Sequence, residues 1–334
     1  MKIESRKIVF TKNHDITLEK EVKELTIQNG NEVIIKNHCT HISLGTEMAC
    51  LAGLESWFPL PGTPGYTSIG EVIEIGSDVS GIKAGDLVYT MGPHSGYFKI
   101  HSGDRWSGLC VKVPEKLSPE LASFTHMAGI AMTSIRKSQI EIGDYVLVAG
   151  LGAIGNLAAQ LAVLQGAKVI AVDLEEKRLD IARKCNIPLC INSSEENIIG
   201  KIKELTGGKG INTFIDATGM SSVINRYGET LATNGEIILL GSPRSPFETN
   251  LTAFLKYFHY LPYLASLKGA LEFAYPTYEN DFVKHSIERN SKIIMDLFLN
   301  KKLILNGIYS HKITPEEAPD VYRKLNSNKM SILE

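Results

Sequence analysis

Residues 145–173, YVLVAGLGAIGNLAAQLAVLQGAKVIAVD, constrain the fold more than any other stretch of the chain. Their first five residues form an uncharged run of apolar and β-forming side chains, which predicts a strand buried on both faces. The next segment carries three glycines in the spacing G-x-G-x-x-G, namely Gly150, Gly152 and Gly155. A predicted helix over residues 156–165 and a second strand over residues 168–172 complete a βαβ unit.

Each glycine of this turn has a separate physical role. The first permits the tight turn, the second lets the backbone approach a pyrophosphate, and the third allows close packing of helix on strand. Asp173 follows the second strand, 21 residues beyond Gly152, where a carboxylate binds a ribose 2′-hydroxyl and repels a 2′-phosphate. The stretch therefore predicts a dinucleotide site that prefers NAD to NADP. The alternative is a structural βαβ unit with an empty crevice.

Length and composition agree with a globular enzyme. At 334 residues the chain is long enough for two domains, and its 43% hydrophobic content, 22% charged content and net charge of −2 are ordinary. No basic cluster suggests nucleic acid or an anionic membrane as a partner. The N-terminus lacks the apolar core of a signal peptide, and no apolar stretch is long enough to span a bilayer. We expect a cytoplasmic protein whose five scattered cysteines remain thiols.

The hydrophobic periodicity divides the rest of the chain into a β-rich first part and a later part in which strands and helices alternate. Residues 1–124 are rich in short β-prone runs separated by glycine and proline turns, which indicates a barrel-like unit. After Asp173, strands and helices alternate up to a strand at residues 235–240, as in a parallel sheet. The next predicted elements are a helix over residues 252–267, a last strand near residues 268–274, and helices over residues 280–300 and 315–325. Within the first of these, the aromatic run FLKYFHYLPY is predicted to be helix core, with a substrate-pocket wall or a subunit interface as alternatives.

Several segments carry a resemblance to a known family. They are THISLGTE at residues 40–47, PGTPGYTSIGEVIEIGSDV at 61–79, AGDLVY at 84–89, IDATG at 215–219 and GEIILLGSP at 235–243. With the glycine turn, they make the chain similar to the medium-chain dehydrogenase/reductase superfamily. The resemblance implies an α/β fold with two parts. A GroES-like β-barrel catalytic domain would comprise residues 1–124 and 276–334, and a Rossmann doubly wound parallel sheet residues 125–275. It also implies an active site in the cleft and a homodimer or homotetramer.

Further cofactor candidates accompany the three glycines and Asp173. They lie in the glycine turn, in the helix after Asp173 and at the ends of neighbouring strands: Ala153, Ile154, Arg178, Ala217, Thr218, Gly241 and Ser242.

The family's zinc ligands are missing from this chain. Zinc-dependent members hold the metal with a Cys in a C-G-T-D-like segment, a His in G-H-E, and a later Cys, Asp or Glu. This chain has Ser43 before Leu-Gly-Thr-Glu, and Tyr66 in a Gly-Tyr-Thr segment where G-H-E would stand. His126 falls near the third position, but one imidazole with a serine and a tyrosine is not a tetrahedral zinc set. The pattern is similar to a zinc-less branch that includes bacteriochlorophyllide-type dehydrogenases.

Four residues are the catalytic candidates. Thr46 matches the family hydroxyl between substrate oxygen and cofactor ribose, and it is the predicted proton relay; the alternative is a threonine that satisfies a loop amide. Ser43 and Tyr66 either bind the substrate oxygen or only line the pocket. His126 is suited to general acid–base chemistry or is a satisfied helix histidine. Glu47 is predicted to make a structural ion pair.

One alternative metal arrangement stays open. His38 and Cys39 lie on opposite faces of a predicted strand, so the His38–His41 cluster supplies too few ligands. A site rebuilt from His41, His94 and His126 is the remaining possibility.

The predicted function is that of an NAD-dependent, zinc-independent dehydrogenase that interconverts a secondary alcohol or polyol and a ketone. A quinone or enone reductase, which usually prefers NADPH, is the alternative enzyme. A nucleotide-binding protein without chemistry is the alternative outside catalysis.

Overall fold

A computed structural model describes residues 2–195 and 197–327 of the chain. The strands within these residues are β1 Lys2–Phe10, β2 Ile16–Glu24, β3 Glu32–Thr40, β4 Ser68–Ile75, β5 Leu87–Thr90, β6 Tyr97–His101, β7 Cys110–Lys112, β8 Tyr145–Ala149, β9 Lys168–Asp173, β10 Leu189–Asn192, β11 Ile211–Asp216, β12 Leu231–Leu239 and β13 Ser266–Gly269. The α-helices are α1 Leu44–Leu51, α2 Pro119–Ala122, α3 Thr125–Lys137, α4 Ala153–Leu164, α5 Glu176–Lys184, α6 Ile198–Leu205, α7 Ser221–Tyr227, α8 Leu251–His259, α9 Ile287–Leu299 and α10 Ala318–Asn326. Over this part of the chain, no helix combines the length and the apolar character that crossing a bilayer requires.

The second half of the chain builds a six-stranded parallel sheet in the order β10-β9-β8-β11-β12-β13. The central strand β8 is buried on both faces, as its uncharged sequence predicts. Val146 and Val148 pack into one hydrophobic cluster, and Leu147 packs into a second cluster on the opposite face. The predicted doubly wound parallel sheet is therefore confirmed.

The first part of the chain builds antiparallel structure. Five strands pair in the order β6-β3-β4-β5-β7, and β1 and β2 form a separate hairpin. Helix α10 returns to this part of the molecule, because the ring of Tyr322 packs edge-on against Phe10 at 5.2 Å between ring centroids. The last described helix and the first strand thus share one hydrophobic cluster.

Two predicted helices have different bounds in the structure. The helix predicted over residues 252–267 ends at His259, and Ser266–Gly269 forms β13 on the sheet edge. Pro262 explains the end, because proline lacks the amide that helix continuation needs. No residue of α8 is buried, so the helix-core prediction for its aromatic run is wrong. The helix predicted from residue 280 begins at Ile287, where the Ser286 side chain caps it.

Candidate active site

The glycine turn lies at the carboxyl edge of the parallel sheet, between β8 and α4. Gly150 has a φ of +86°, a left-handed conformation that glycine adopts without strain. A Cβ on Gly155 would lie 1.8 Å from the Gly150 carbonyl oxygen, so α4 packs directly on the end of β8. A Cβ on Gly152 would meet no atom within 4 Å. The backbone at Gly152 therefore borders open space at a helix N-terminus, which is an arrangement that fits a phosphate group.

Asp173 faces this turn from the end of β9. The backbone amide of Leu151 donates to its Oδ2 at 2.6 Å, and the amide of Glu175 donates to its Oδ1 at 2.9 Å. The Arg178 guanidinium lies 3.6 Å from Oδ2. An ionised carboxylate has about four lone-pair sites, so Asp173 retains acceptor capacity for a ribose hydroxyl.

The other cofactor candidates lie on loops that touch the glycine turn. A Cβ on Gly150 would stand 2.7 Å from Cγ2 of Thr218, which follows β11. A Cβ on Gly241, after β12, would stand 2.3 Å from the Gly219 amide nitrogen. Ligands of open α/β sheets bind at this edge, where the strand order reverses. The loops with Ala217, Thr218, Gly241 and Ser242 thus lie together with Gly150, while Ala153 and Ile154 form the first turn of α4.

A first buried polar cluster surrounds His126 in the first turn of α3. Its Nδ1 lies 3.1 Å from the Tyr89 hydroxyl, and its Nε2 lies 2.9 Å from Oε2 of Glu272. Burial and the nearby Glu272 charge raise the pKa of Tyr89 well above its usual range. The ring of Tyr66 packs against the imidazole, with 4.8 Å between ring centroids. The structure therefore brings together the two candidates Tyr66 and His126, with both imidazole nitrogens of His126 already engaged.

A second buried cluster surrounds Glu47 in α1. Its Oε1 accepts the backbone amide of Ser43 at 2.8 Å, and its Oε2 lies 3.0 Å from Nε2 of His94. The Tyr322 hydroxyl also donates to Oε2, and burial, followed by the Glu47 charge, raises the pKa of Tyr322. This network matches the ion pair predicted for Glu47. It anchors α1, and Thr46 is half-buried on that helix.

Tyr66 acts electrostatically on a tyrosine of each cluster. Besides its contact with His126, it adds to the raised pKa of both Tyr89 and Tyr322, after burial as the main cause. The Glu47 network therefore holds Ser43, and the His126 network packs against Tyr66, through contacts that sequence patterns do not reveal.

The side chains present do not form a zinc site. Within residues 2–195 and 197–327, no three His, Cys, Asp or Glu side chains are arranged to hold a metal ion. His94 and His126 direct their ring nitrogens to different partners. The His41 ring packs edge-on against Phe124 at 4.4 Å between centroids. The alternative site built from the three histidines therefore finds no support in the arrangement of these groups.

An ion pair that the sequence did not predict joins the two halves of the molecule. Nη2 of Arg244, after β12, lies 2.7 Å from Oε1 of Glu55, which follows α1. The Trp57 indole donates to the other oxygen of Glu55 at 2.9 Å. The Arg244 guanidinium also lies 4.0 Å from the position of a Cβ on Gly45, next to Thr46. It therefore bridges the carboxyl edge of the sheet and the start of α1.

Comparison with known proteins gives matches along both halves of the chain. A family model described as "Alcohol dehydrogenase GroES-like domain" matches residues 28–105, and one described as "Zinc-binding dehydrogenase" matches residues 153–278. L-threonine 3-dehydrogenase of Photorhabdus laumondii is 30% identical over 246 residues, which cover 64% of this chain and 71% of that protein. D-guloside 3-dehydrogenase of Shigella flexneri is 36% identical over 174 residues, or 52% of this chain. That alignment spans about half of the relative, 49% of its length.

The fold also matches solved structures along nearly the whole chain. Galactitol-1-phosphate dehydrogenase from Escherichia coli superposes with a TM-score of 0.82, covers 98% of both chains and is 17% identical. At that identity the likeness concerns the fold alone.

Proposed function

Because the chain belongs to the medium-chain dehydrogenase/reductase superfamily, we propose that it is an NAD-dependent, zinc-independent dehydrogenase that interconverts a secondary alcohol or polyol and a ketone. Two relatives are named as dehydrogenases that act at carbon 3 of D-gulosides and of L-threonine, which supports a reaction at a secondary hydroxyl. The observation that carries the proposal is the glycine turn at the carboxyl edge of the parallel sheet, with Asp173 hydrogen-bonded to it.

NAD is the proposed cofactor because of Asp173. The glycine turn offers the pyrophosphate an open approach at Gly152 and the amides of a helix N-terminus. The Asp173 carboxylate suits a ribose hydroxyl and repels a 2′-phosphate. Arg178, whose guanidinium lies 3.6 Å from the Asp173 carboxylate, is proposed to contact the same ribose.

Bound NAD would supply the hydride acceptor for the carbinol carbon of the substrate. The chain's own groups then have to orient the alcohol and move its hydroxyl proton. Tyr66 and Ser43 are proposed to hold the substrate oxygen by hydrogen bonds. Thr46, in the first turn of α1, is proposed to pass the proton from that oxygen, because it matches the family hydroxyl between substrate oxygen and cofactor ribose.

Zinc independence is proposed from the donor set. Serine and tyrosine hydroxyls replace the family's cysteine and histidine, and they are poor zinc ligands at neutral pH. The matched stretch described as a zinc-binding dehydrogenase begins at residue 153, after all three family ligand positions. The donors nearest those positions are already engaged in the Glu47 and His126 networks.

One experiment tests cofactor and metal together. The purified protein is titrated with NADH and with NADPH by fluorescence, and it is assayed on a panel of secondary alcohols and polyols before and after chelator treatment. We expect tighter binding of NADH and turnover that survives the chelator. Tighter NADPH binding would favour a quinone or enone reductase, and stoichiometric zinc lost together with activity would refute the zinc-free mechanism.

Three further properties are proposed on the same basis. The catalytic domain is taken as residues 1–124 and 276–334, and the cofactor domain as residues 125–275, because each sheet lies wholly within one of these ranges. A homodimer or homotetramer is proposed from family membership. All five cysteines are free thiols, which fits a reducing compartment such as the cytoplasm.

A further inference from the structure

Glu272 occupies an unusual position for a carboxylate. It follows the edge strand β13, where it is the one acidic residue between positions 266 and 276, and only 6% of its surface is exposed. Strands of a parallel sheet end at the same edge, so Glu272 lies on the side of the sheet that carries the glycine turn. A buried charge is costly unless it is paired, and its partner is His126 at 2.9 Å.

The surroundings of Glu272 fix the orientation of the His126 ring. Glu272 holds Nε2 while the Tyr89 hydroxyl holds Nδ1, at 3.1 Å, from the opposite side of the ring. Because hydrogen bonds weaken steeply when bent, two of them at opposite edges favour one orientation of the imidazole. Tyr89 belongs to the antiparallel sheet and Glu272 follows the parallel sheet, so the ring is held from both halves of the molecule.

Helix α3 is built to accept this carboxylate. Gly129 lies one turn after His126, and a Cβ there would come within 3.1 Å of Oε1 of Glu272. Glycine inside a helix costs about 1 kcal/mol relative to alanine. The helix therefore carries a residue of poor helix propensity at the point where Glu272 approaches.

Stability alone is a weak reason for such a pair. Replacing a buried ion pair by apolar residues of similar volume is often neutral or stabilising, because desolvation offsets the attraction. The imidazole that the pair holds packs against the ring of Tyr66, with 4.8 Å between ring centroids and the ring planes tilted by 58°. We propose that Glu272 is a positioning residue for the reaction: it orients His126, and through that ring it orients the hydroxyl of Tyr66 towards the substrate oxygen. This inference rests on the proposed function.

The test compares Glu272→Gln with Glu236→Gln. Glu236 is a matched control, because it is also a buried carboxylate of the same sheet and is paired with Lys268 at 2.6 Å. For each variant we would measure the melting temperature, the NADH dissociation constant, and kcat and KM for an alcohol that the unaltered protein oxidises. Misplacing a reacting group by about 1 Å costs about 100-fold in rate. We expect Glu272→Gln to lower kcat about 100-fold and to change NADH affinity less than twofold, while Glu236→Gln keeps kcat within twofold.

Chemical rescue separates positioning from general damage. Glu272→Ala leaves a cavity beside His126, and added formate should restore part of its kcat because a small carboxylate can accept the Nε2 hydrogen bond. Formate should leave Glu236→Ala unchanged. If Glu272→Gln does not fold, Glu272→Asp replaces it: the charge is kept but the side chain is one methylene shorter, and we expect kcat to fall at least about tenfold.

The outcomes separate this inference from the proposed function. A kcat within twofold of the unaltered protein for Glu272→Gln or Glu272→Asp overturns the positioning role and leaves the dehydrogenase proposal standing. The positioning role is also overturned if formate does not restore the kcat of Glu272→Ala and Glu236→Gln lowers kcat as much as Glu272→Gln does. If the unaltered protein binds NADH but oxidises no secondary alcohol, the proposed reaction fails and the inference fails with it.

Discussion

The glycine turn allows fold and cofactor binding to be separated by two substitutions of the same kind. In Gly155→Ala the new Cβ would lie 1.8 Å from the Gly150 carbonyl oxygen, whereas contacts below 3.0 Å are essentially never observed, so α4 has to move by about 1.2 Å. Overpacking of this kind costs about 3 kcal/mol. For domains of this size we expect a melting temperature about 6–12 °C lower.

Gly152→Ala should instead leave the stability nearly unchanged and weaken the binding of NADH. Its Cβ meets no protein atom within 4 Å, and the residue has a φ of −59°, which alanine adopts freely. We expect the stability to stay within about 1 kcal/mol. In the proposed complex the same Cβ would enter the space of the pyrophosphate. Loss of one charge-assisted hydrogen bond, about 1.5–3 kcal/mol, weakens NADH binding about 10- to 150-fold.

Differential scanning calorimetry and NADH fluorescence titration measure the two effects. Gly269→Ala is the control, because Gly269 is exposed on β13 and a Cβ there also meets nothing within 4 Å. It should change neither quantity. If Gly152→Ala binds NADH as tightly as the unaltered protein, the cofactor does not approach the backbone at this turn and the reasoning is refuted.

Three other predictions concern charged groups. Asp173→Asn should reduce the preference for NADH over NADPH at least tenfold in competitive titrations, because the charge that repels a 2′-phosphate is gone; an unaltered ratio would contradict the assigned role. For the partly exposed Arg244–Glu55 pair, a double-mutant cycle of the Gln variants should give a coupling of about 0.2–1 kcal/mol in urea unfolding, and a larger value would indicate a desolvated pair. Hydrogen bonds lower the pKa of Glu32 from 4.5 to about 2, and the bond from Lys99 makes the largest contribution. Because the folded-state value is the lower one, this stabilisation is present above pH 4.5 and is lost as the pH falls to 2. Glu32→Gln should therefore be less stable than the unaltered protein at pH 7 and equal to it near pH 2, in urea unfolding at both pH values.

The elements that could be predicted from the sequence are those whose signals are local. Strand β8 has the predicted bounds, because an uncharged apolar run between polar turns can only be buried on both faces of a sheet. The glycine spacing predicted the tight turn and the close packing of α4 on β8, since only a residue without a Cβ fits there. Helix α8 was predicted too long and the strand after it too late, because the segment stays rich in Phe, Tyr and Leu past Pro262, where the helix has already ended.

The candidate site was predicted only in part, because the partners of its residues lie far away along the chain. Residue types at family positions pointed to Ser43, Thr46, Tyr66 and His126, but their partners come from segments far away in sequence. Glu272 is 146 residues beyond His126, and Tyr322 is 275 residues beyond Glu47. No local pattern connects such pairs.

The sequence by itself determined the βαβ unit and the glycine turn with its acid, because both depend on spacing within about 30 residues. Only the tertiary structure decided which buried groups surround the catalytic candidates. The sheet edge brings Glu272 to His126, whose ring packs against Tyr66, and α10 brings Tyr322 to Glu47. Burial creates these pairs, because a carboxylate removed from water requires a partner, and which partner is available depends on how the strands and helices pack.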